Sequence, residues 1–120
     1  MAGLIDTSLL VEGAAAADVS EEWLISVISV GELEAGVLRA QDDGIRARRL
    51  ARLAAVIAEA PVVPIDRAVA TRYGELRAAT DRKPTNDLWI AATALAHDLT
   101  LITADRQQAS LPLVQARLLP

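Results

Sequence analysis

With 120 residues the chain has the length of one domain, 1–120, enough to bury about two thirds of its unfolded surface around a single core. Hydrophobic residues make up 52% of it but aromatics only 2%, with no Phe and no cysteine, so the core is aliphatic. Disulfides, thiolate zinc sites and cysteine nucleophiles are excluded, and a net charge of −4 argues against gripping nucleic acid by overall charge.

The start, Met1-Ala2-Gly3-Leu4-Ile5-Asp6, lacks the basic residues and long apolar run of a signal peptide, and no later run reaches the roughly 18 apolar residues of a membrane span. A soluble, cytoplasmic protein with no membrane partner is expected. Leu4-Ile5 reads as a buried strand, and Leu9-Leu10-Val11 as a short helix entered through Thr7-Ser8. A Gly/Ala-rich connection over 13–17 follows. Trp23-Leu24-Ile25-Ser26 resembles a second strand; Val30, Leu33 and Val37 then recur at helical spacing to about Ala40. Asp42-Asp43-Gly44 separates this helix from another over 45–58, whose apolar face is Leu50, Leu53, Ala54 and Ile57 opposite Arg46, Arg48, Arg49 and Arg52, so a helical hairpin is expected. Such a basic face is most simply solvated, and otherwise answers the chain's acidity by meeting RNA phosphates.

Pro61-Val62-Val63-Pro64-Ile65 is a strand between prolines, and Asp66 caps a helix reaching about Thr80. After the polar loop Asp81-Arg82-Lys83-Pro84, Thr85 or Asn86 caps the most apolar helix, 87–97, ended by the only histidine, His97. Leu99 to Thr103 is the next strand, and Leu113 to Ala116 a final edge strand. Strands alternating with helices predict an α/β fold with a mainly parallel sheet. Trp23 and Trp89 each neighbour a buried segment and read as packing residues.

Four carboxylates, Asp6, Glu32, Asp87 and Asp105, stand where a short apolar segment meets a polar turn or helix start. Leu4-Ile5-Asp6-Thr7 and Leu101-Ile102-Thr103-Ala104-Asp105 repeat one pattern, a buried strand ending in hydroxyl and acid, and the carboxyl ends of strands are where open parallel sheets bind ligands. Singly, each acid has a plain structural role: Asp6 and Asp105 in turns, Glu32 solvated, Asp87 favoured by the helix dipole. Together, acids about 5 Å apart repel by roughly 3 kcal/mol per pair at an effective dielectric near 20, and need protons or a cation.

Four segments in order, Leu4-Ile5-Asp6-Thr7-Ser8-Leu9-Leu10, Ser29-Val30-Gly31-Glu32-Leu33-Glu34-Ala35-Gly36, Asn86-Asp87-Leu88-Trp89-Ile90-Ala91 and Leu101-Ile102-Thr103-Ala104-Asp105, resemble the PIN-domain ribonucleases, and within them the VapC toxins of bacterial toxin–antitoxin pairs. The resemblance implies a three-layer sandwich with a central sheet flanked by helices. It also implies a Mg²⁺- or Mn²⁺-dependent endoribonuclease in which Asp6 and Asp87 lead the metal ligands, Glu32 and Asp105 complete the site, and a metal-activated water attacks the phosphodiester. Thr7 and Thr103 orient carboxylates or serve as strand-end hydrogen bonds, and Asn86 touches substrate or caps its helix. A cognate VapB-like antitoxin and a homodimer are implied as partners, besides the RNA.

A haloacid-dehalogenase phosphatase wants a second acid where Ser8 stands, and a receiver domain a late lysine, whereas the only lysine is Lys83. The alternative that survives is a catalytically silent PIN-like module that binds RNA or protein.

Overall fold

The computed structural model describes residues 2–12, 22–81 and 84–119; the expected connection over 13–17 and the pair Arg82 and Lys83 lie outside them. Five strands, β1 (Gly3–Ile5), β2 (Trp23–Ser26), β3 (Val62–Val63), β4 (Thr100–Thr103) and β5 (Ala116–Leu118), form one sheet in the order β3-β2-β1-β4-β5. Every neighbouring pair is parallel. Alternate side chains leave opposite faces of a strand, and the two central strands show it. Leu4 and Leu101 enter one core with Val69, Leu76, Leu88 and Ile90, from helices α4 (Arg67–Ala79) and α5 (Thr85–Ala96). Ile5 and Ile102 enter the other with Leu9, Leu10 and Val56, from α1 (Thr7–Glu12) and α3 (Asp43–Glu59). The result is the three-layer α/β sandwich expected. No helix among the described residues is long and apolar enough to cross a membrane.

At Gly3 β1 and β4 approach so closely that a Cβ would collide with Cδ1 of Ile102 and stand 3.4 Å from the Thr100 carbonyl. Side-chain caps fix where three long helices begin: Ser26 accepts from Ile28 N at 3.1 Å to start α2 (Val27–Arg39), Asp42 from Ile45 N at 2.8 Å, and Asp66 from Val69 N at 3.0 Å. Each such cap is worth about 1 kcal/mol. Helices α2 and α3 pack together as the expected hairpin. Trp89 stacks on Tyr73 with ring centroids 3.9 Å apart, the packing role expected of it.

Three expectations are corrected. Neither Thr85 nor Asn86 caps α5, which starts at Thr85 behind Pro84 with no side-chain cap. Proline's fixed φ suits a helix start, and the Thr85 hydroxyl instead accepts from Arg77 Nη2 at 3.4 Å. The buried stripe of α3 is Leu53 and Val56, while Leu50, Ala54 and Ile57 are exposed. The first half of that helix lies beside α2 rather than against the sheet, so only its last turns have a core to enter. The last strand is Ala116–Leu118, not 113–116, because Leu113 has φ 71°, a left-handed conformation that interrupts extended chain.

Candidate active site

The strand order reverses at β1: the chain steps outward to β2 and β3, then returns to add β4 and β5 on the other side. At such a switch point a crevice opens at the carboxyl ends of the two strands. Register alone delivers Asp6 and Thr103 there, since Ile5 pairs with Ile102 and the Asp6 N–H donates to the Ile102 carbonyl at 2.8 Å.

Asp6 is only 4% exposed. Its Oδ2 accepts from Thr103 Oγ1 at 2.7 Å and from Ser8 Oγ at 2.8 Å. Both hydroxyl protons are thereby spent on the carboxylate, so the 3.3 Å approach of Ser8 Oγ to Thr103 Oγ1 carries no proton of its own. Each hydroxyl in turn accepts from a backbone N–H of the turn after β4, Ala104 N to Ser8 at 3.2 Å and Asp105 N to Thr103 at 3.0 Å. One carboxylate oxygen is therefore locked by two tethered hydroxyls, while Oδ1 takes no hydrogen bond from the described residues.

Glu32 projects from α2 and is half-buried; its Oε1 accepts from Thr7 Oγ1 at 2.7 Å. With that proton committed, the 2.8 Å contact between Thr7 Oγ1 and the buried Ser29 Oγ must have Ser29 as donor. Adjacent residues of the β1–α1 junction thus hold Asp6 in place and fix Glu32. Asp105 is exposed and accepts from Gln107 N at 2.8 Å, capping the short α6 (Arg106–Ala109). From α6 the buried Gln108 sends Nε2 to the Asp87 carbonyl at 2.8 Å. The turn that begins at Thr103 therefore also anchors the first turn of α5, which carries the half-buried Asp87. Asn86 is exposed and shares a cleft of about 410 Å³ with Glu32 and Arg39.

All four predicted acids thus lie on elements that meet at the carboxyl edge of the sheet; Asp6 and Asp105 share one hydrogen-bonded set through Thr103, and Glu32 belongs to a second through Thr7, the two joined by the backbone of Asp6-Thr7-Ser8. The carboxylates themselves are not in mutual contact: among the described residues no three acidic or histidine side chains stand close enough to share a metal ion. Each of Asp6, Glu32 and Asp105 is turned instead to a hydroxyl or backbone N–H. The ion pairs among the described residues are Arg46–Asp43 and Arg72–Glu75, so none reaches Asp6, Glu32 or Asp105. The donor set suits a hard divalent cation, being oxygen only and holding Asp6 by one oxygen while sparing the other.

Sequence reading missed three members of the framework. Ser8 and Ser29 were visible as hydroxyls close in sequence to Asp6 and Glu32. Gln108 was not, because Arg106-Gln107-Gln108 reads as solvated helix surface.

The buried Thr103 hydroxyl makes a specific demand. Thr103→Val keeps shape but removes the donor to Asp6 and the acceptor of Asp105 N, and is expected to slow the chemistry of this site by about 10- to 100-fold. Thr103→Ser is expected to recover most of it. Equal cleavage rates for Val and wild type in a gel assay would reduce Thr103 to strand-end packing.

Comparison with known proteins bears on the family and the fold. The PIN domain family model matches residues 4–113. Ribonuclease VapC4 of Mycobacterium tuberculosis is 42% identical over 98 residues, covering 78% of this chain and 75% of that protein. Ribonuclease VapC5 of the same organism is 36% identical over 119 residues, covering 92% and 87%. In three dimensions the chain is similar to a crystal structure of a member of the VapBC family of toxin–antitoxin systems, VapBC-5 from M. tuberculosis, with TM-score 0.86, 34% identity and 98% of each chain covered.

Proposed function

The chain belongs to the PIN-domain family, among the VapC ribonucleases, and on that premise we propose that it is the toxin of a toxin–antitoxin pair, an endoribonuclease whose site is Asp6, Glu32, Asp87 and Asp105. The observation that carries this reading is the Asp6 carboxylate at the sheet's switch point, locked through Oδ2 by Ser8 and Thr103 with Oδ1 left for a ligand. In this reading Asp6 and Asp87 hold Mg²⁺, or Mn²⁺ in its place, with Glu32 and Asp105 completing the set. When bound, such an ion supplies Lewis acidity toward a phosphate oxygen and lowers the pKa of water.

The chain's own groups do the rest. Thr7 holds Glu32 through Oε1, leaving Oε2 to accept a hydrogen bond from the attacking water. Asn86, exposed on the cleft beside Glu32, offers its amide N–H to a non-bridging phosphate oxygen. Ser8 and Thr103 keep Asp6 from turning as the bond to phosphorus forms and the bond to the leaving oxygen breaks. Rigid placement of this kind removes reorganisation from the barrier.

The partner is a VapB-like antitoxin and the location the cytoplasm, with toxin subunits pairing as homodimers. An acidic crevice gives the antitoxin a physical handle, because an arginine there replaces a cation's charge and blocks phosphate approach together. The test is cleavage of bulk cellular RNA by the purified chain. Excess EDTA is expected to stop it, and Mg²⁺ or Mn²⁺ added beyond the chelator to restore it. Cleavage that persists undiminished in EDTA would rule the metal out. With antitoxin bound, raising Mg²⁺ alone is expected to restore nothing.

A further inference from the structure

Gln108 is buried to 1% exposure on the four-residue helix α6, an unusual place for a side-chain amide. Its Nε2 donates to the Asp87 carbonyl at 2.8 Å, while its Oε1 has no hydrogen-bond partner among the described residues. The acceptor at Asp87 decides which end of the amide is nitrogen. Burying an acceptor without a partner is unfavourable, and Leu or Met would fill the same space without that cost. What Gln108 has and they lack is the N–H aimed at the Asp87 backbone.

That bond joins two elements that otherwise touch little, because α6 packs mainly on β4 and β5. The first turn of α5 has no side-chain cap, and the backbone bond that opens it, from Leu88 N to the Pro84 carbonyl, is long at 3.3 Å. The short segment 103–108 thereby serves three of the four acids. Thr103 Oγ1 donates to Asp6 and accepts from Asp105 N, Asp105 caps α6, and from α6 Gln108 holds the backbone of Asp87. Acids gathered at one sheet edge repel one another, and the uncapped start of α5 is where that repulsion meets least resistance.

We propose that Gln108 is a positioning residue that holds the Asp87 end of α5 at a fixed distance from Asp6 and Asp105, and so sets the affinity of the site for a divalent cation. The inference rests on the metal-dependent reading of the four acids and adds to it a residue that is not itself a ligand. A ligand set binds well only when its members are held to within about 0.5 Å of the required places. The Gln108 amide is a strut across the one join in this site that secondary structure leaves loose.

The test is isothermal titration of Mn²⁺ into the purified chain, with melting temperatures measured alongside in EDTA. Gln108→Met is expected to weaken Mn²⁺ binding about tenfold, the lower end of what outer partners of a metal site contribute. Its melting temperature is expected to stay within about 3 °C of wild type, because losing one hydrogen bond is offset by removing a buried acceptor without a partner. Val69→Ala, at a fully buried position of α4, is expected to do the reverse, lowering the melting temperature while leaving Mn²⁺ affinity unchanged. Affinities within about twofold of wild type in both Gln108→Met and Gln108→Leu overturn the strut. Mn²⁺ uptake that survives Asp6→Asn undiminished overturns it as well, by placing the ion elsewhere. If both Gln108 variants are too unstable to titrate, nuclear magnetic resonance on the wild-type chain decides. A Gln108 side-chain NH₂ signal that shifts as Mg²⁺ is added upholds the strut, and one that stays in place overturns it. Gln108-dependent Mn²⁺ binding by a chain that cleaves no RNA upholds the strut and sinks the ribonuclease reading alone.

Discussion

Asp6→Asn is expected to lower RNA cleavage by about a thousandfold or more while leaving the fold intact. The substitution removes the charge and little else. The Asn amide oxygen can occupy the place of Oδ2 and still accept from Thr103 and Ser8, the two bonds that tie Asp6 to the turn after β4. Its NH₂ then stands where Oδ1 stood and offers a donor where a cation needs an acceptor. A melting temperature within a few degrees of wild type, alongside the lost activity, identifies the defect as chemical. Cleavage near the wild-type rate would instead mean that Asp6 belongs to a silent, binding-only module and that any hydrolysis comes from elsewhere.

Leu101→Ala is expected to cost about 3–4 kcal/mol, close to the upper half of what large-to-small core changes cost. Leu101 is fully buried in β4, paired with Leu4 on one side and Ala116 on the other. It faces the layer formed by α4 and α5, where Ala91, Ala92 and Ala94 are also fully buried. Small residues on a helix already in close contact with the sheet leave no long side chain to swing into the space, so the cavity stays open. Against a total stability of about 5–15 kcal/mol, such a loss lowers the melting temperature by roughly 10 °C or more. Denaturant unfolding measures it; a cost under about 1 kcal/mol would show that this layer is not packed as described.

The parts of the molecule that were legible in the sequence are those where one local signal and the tertiary fold agree. Leu4-Ile5 before Asp6 and Leu101-Ile102-Thr103 before Asp105 announced buried strands with acids at their ends, and both became central strands meeting at the switch point. Asp66 was readable as a cap because nothing competes with it, and it accepts from Val69 N as expected. Asn86 was misread as a cap because the proline before Thr85 can start a helix without a side-chain acceptor. The apolar face of α3 was misplaced because its periodicity admits two neighbouring stripes, and only the sheet decides that Leu53 and Val56 go inside. The final strand slipped because a left-handed Leu113 has no signature in composition.

The site was legible as a list of residue types and not as a geometry. Thr103 was readable as a hydroxyl that orients a carboxylate, but not that the carboxylate is Asp6, far away in the chain, to which its Oγ1 donates. Thr7 likewise serves Glu32, on another helix. Such exchanges depend on the register of β1 against β4 and on the docking of α2, which no local pattern encodes. Gln108 is the clearest case. Its Oε1 is the one buried side-chain oxygen or nitrogen without a partner among the described residues, although its Nε2 anchors Asp87's backbone.

The most direct measurement is anomalous diffraction from a crystal grown with Mn²⁺, which needs no knowledge of the RNA target. An ion peak touching Asp6 and Asp87, within reach of Glu32 and Asp105, is the predicted result. Well-ordered side chains at all four positions with no peak between them, at Mn²⁺ concentrations that support cleavage, would contradict it.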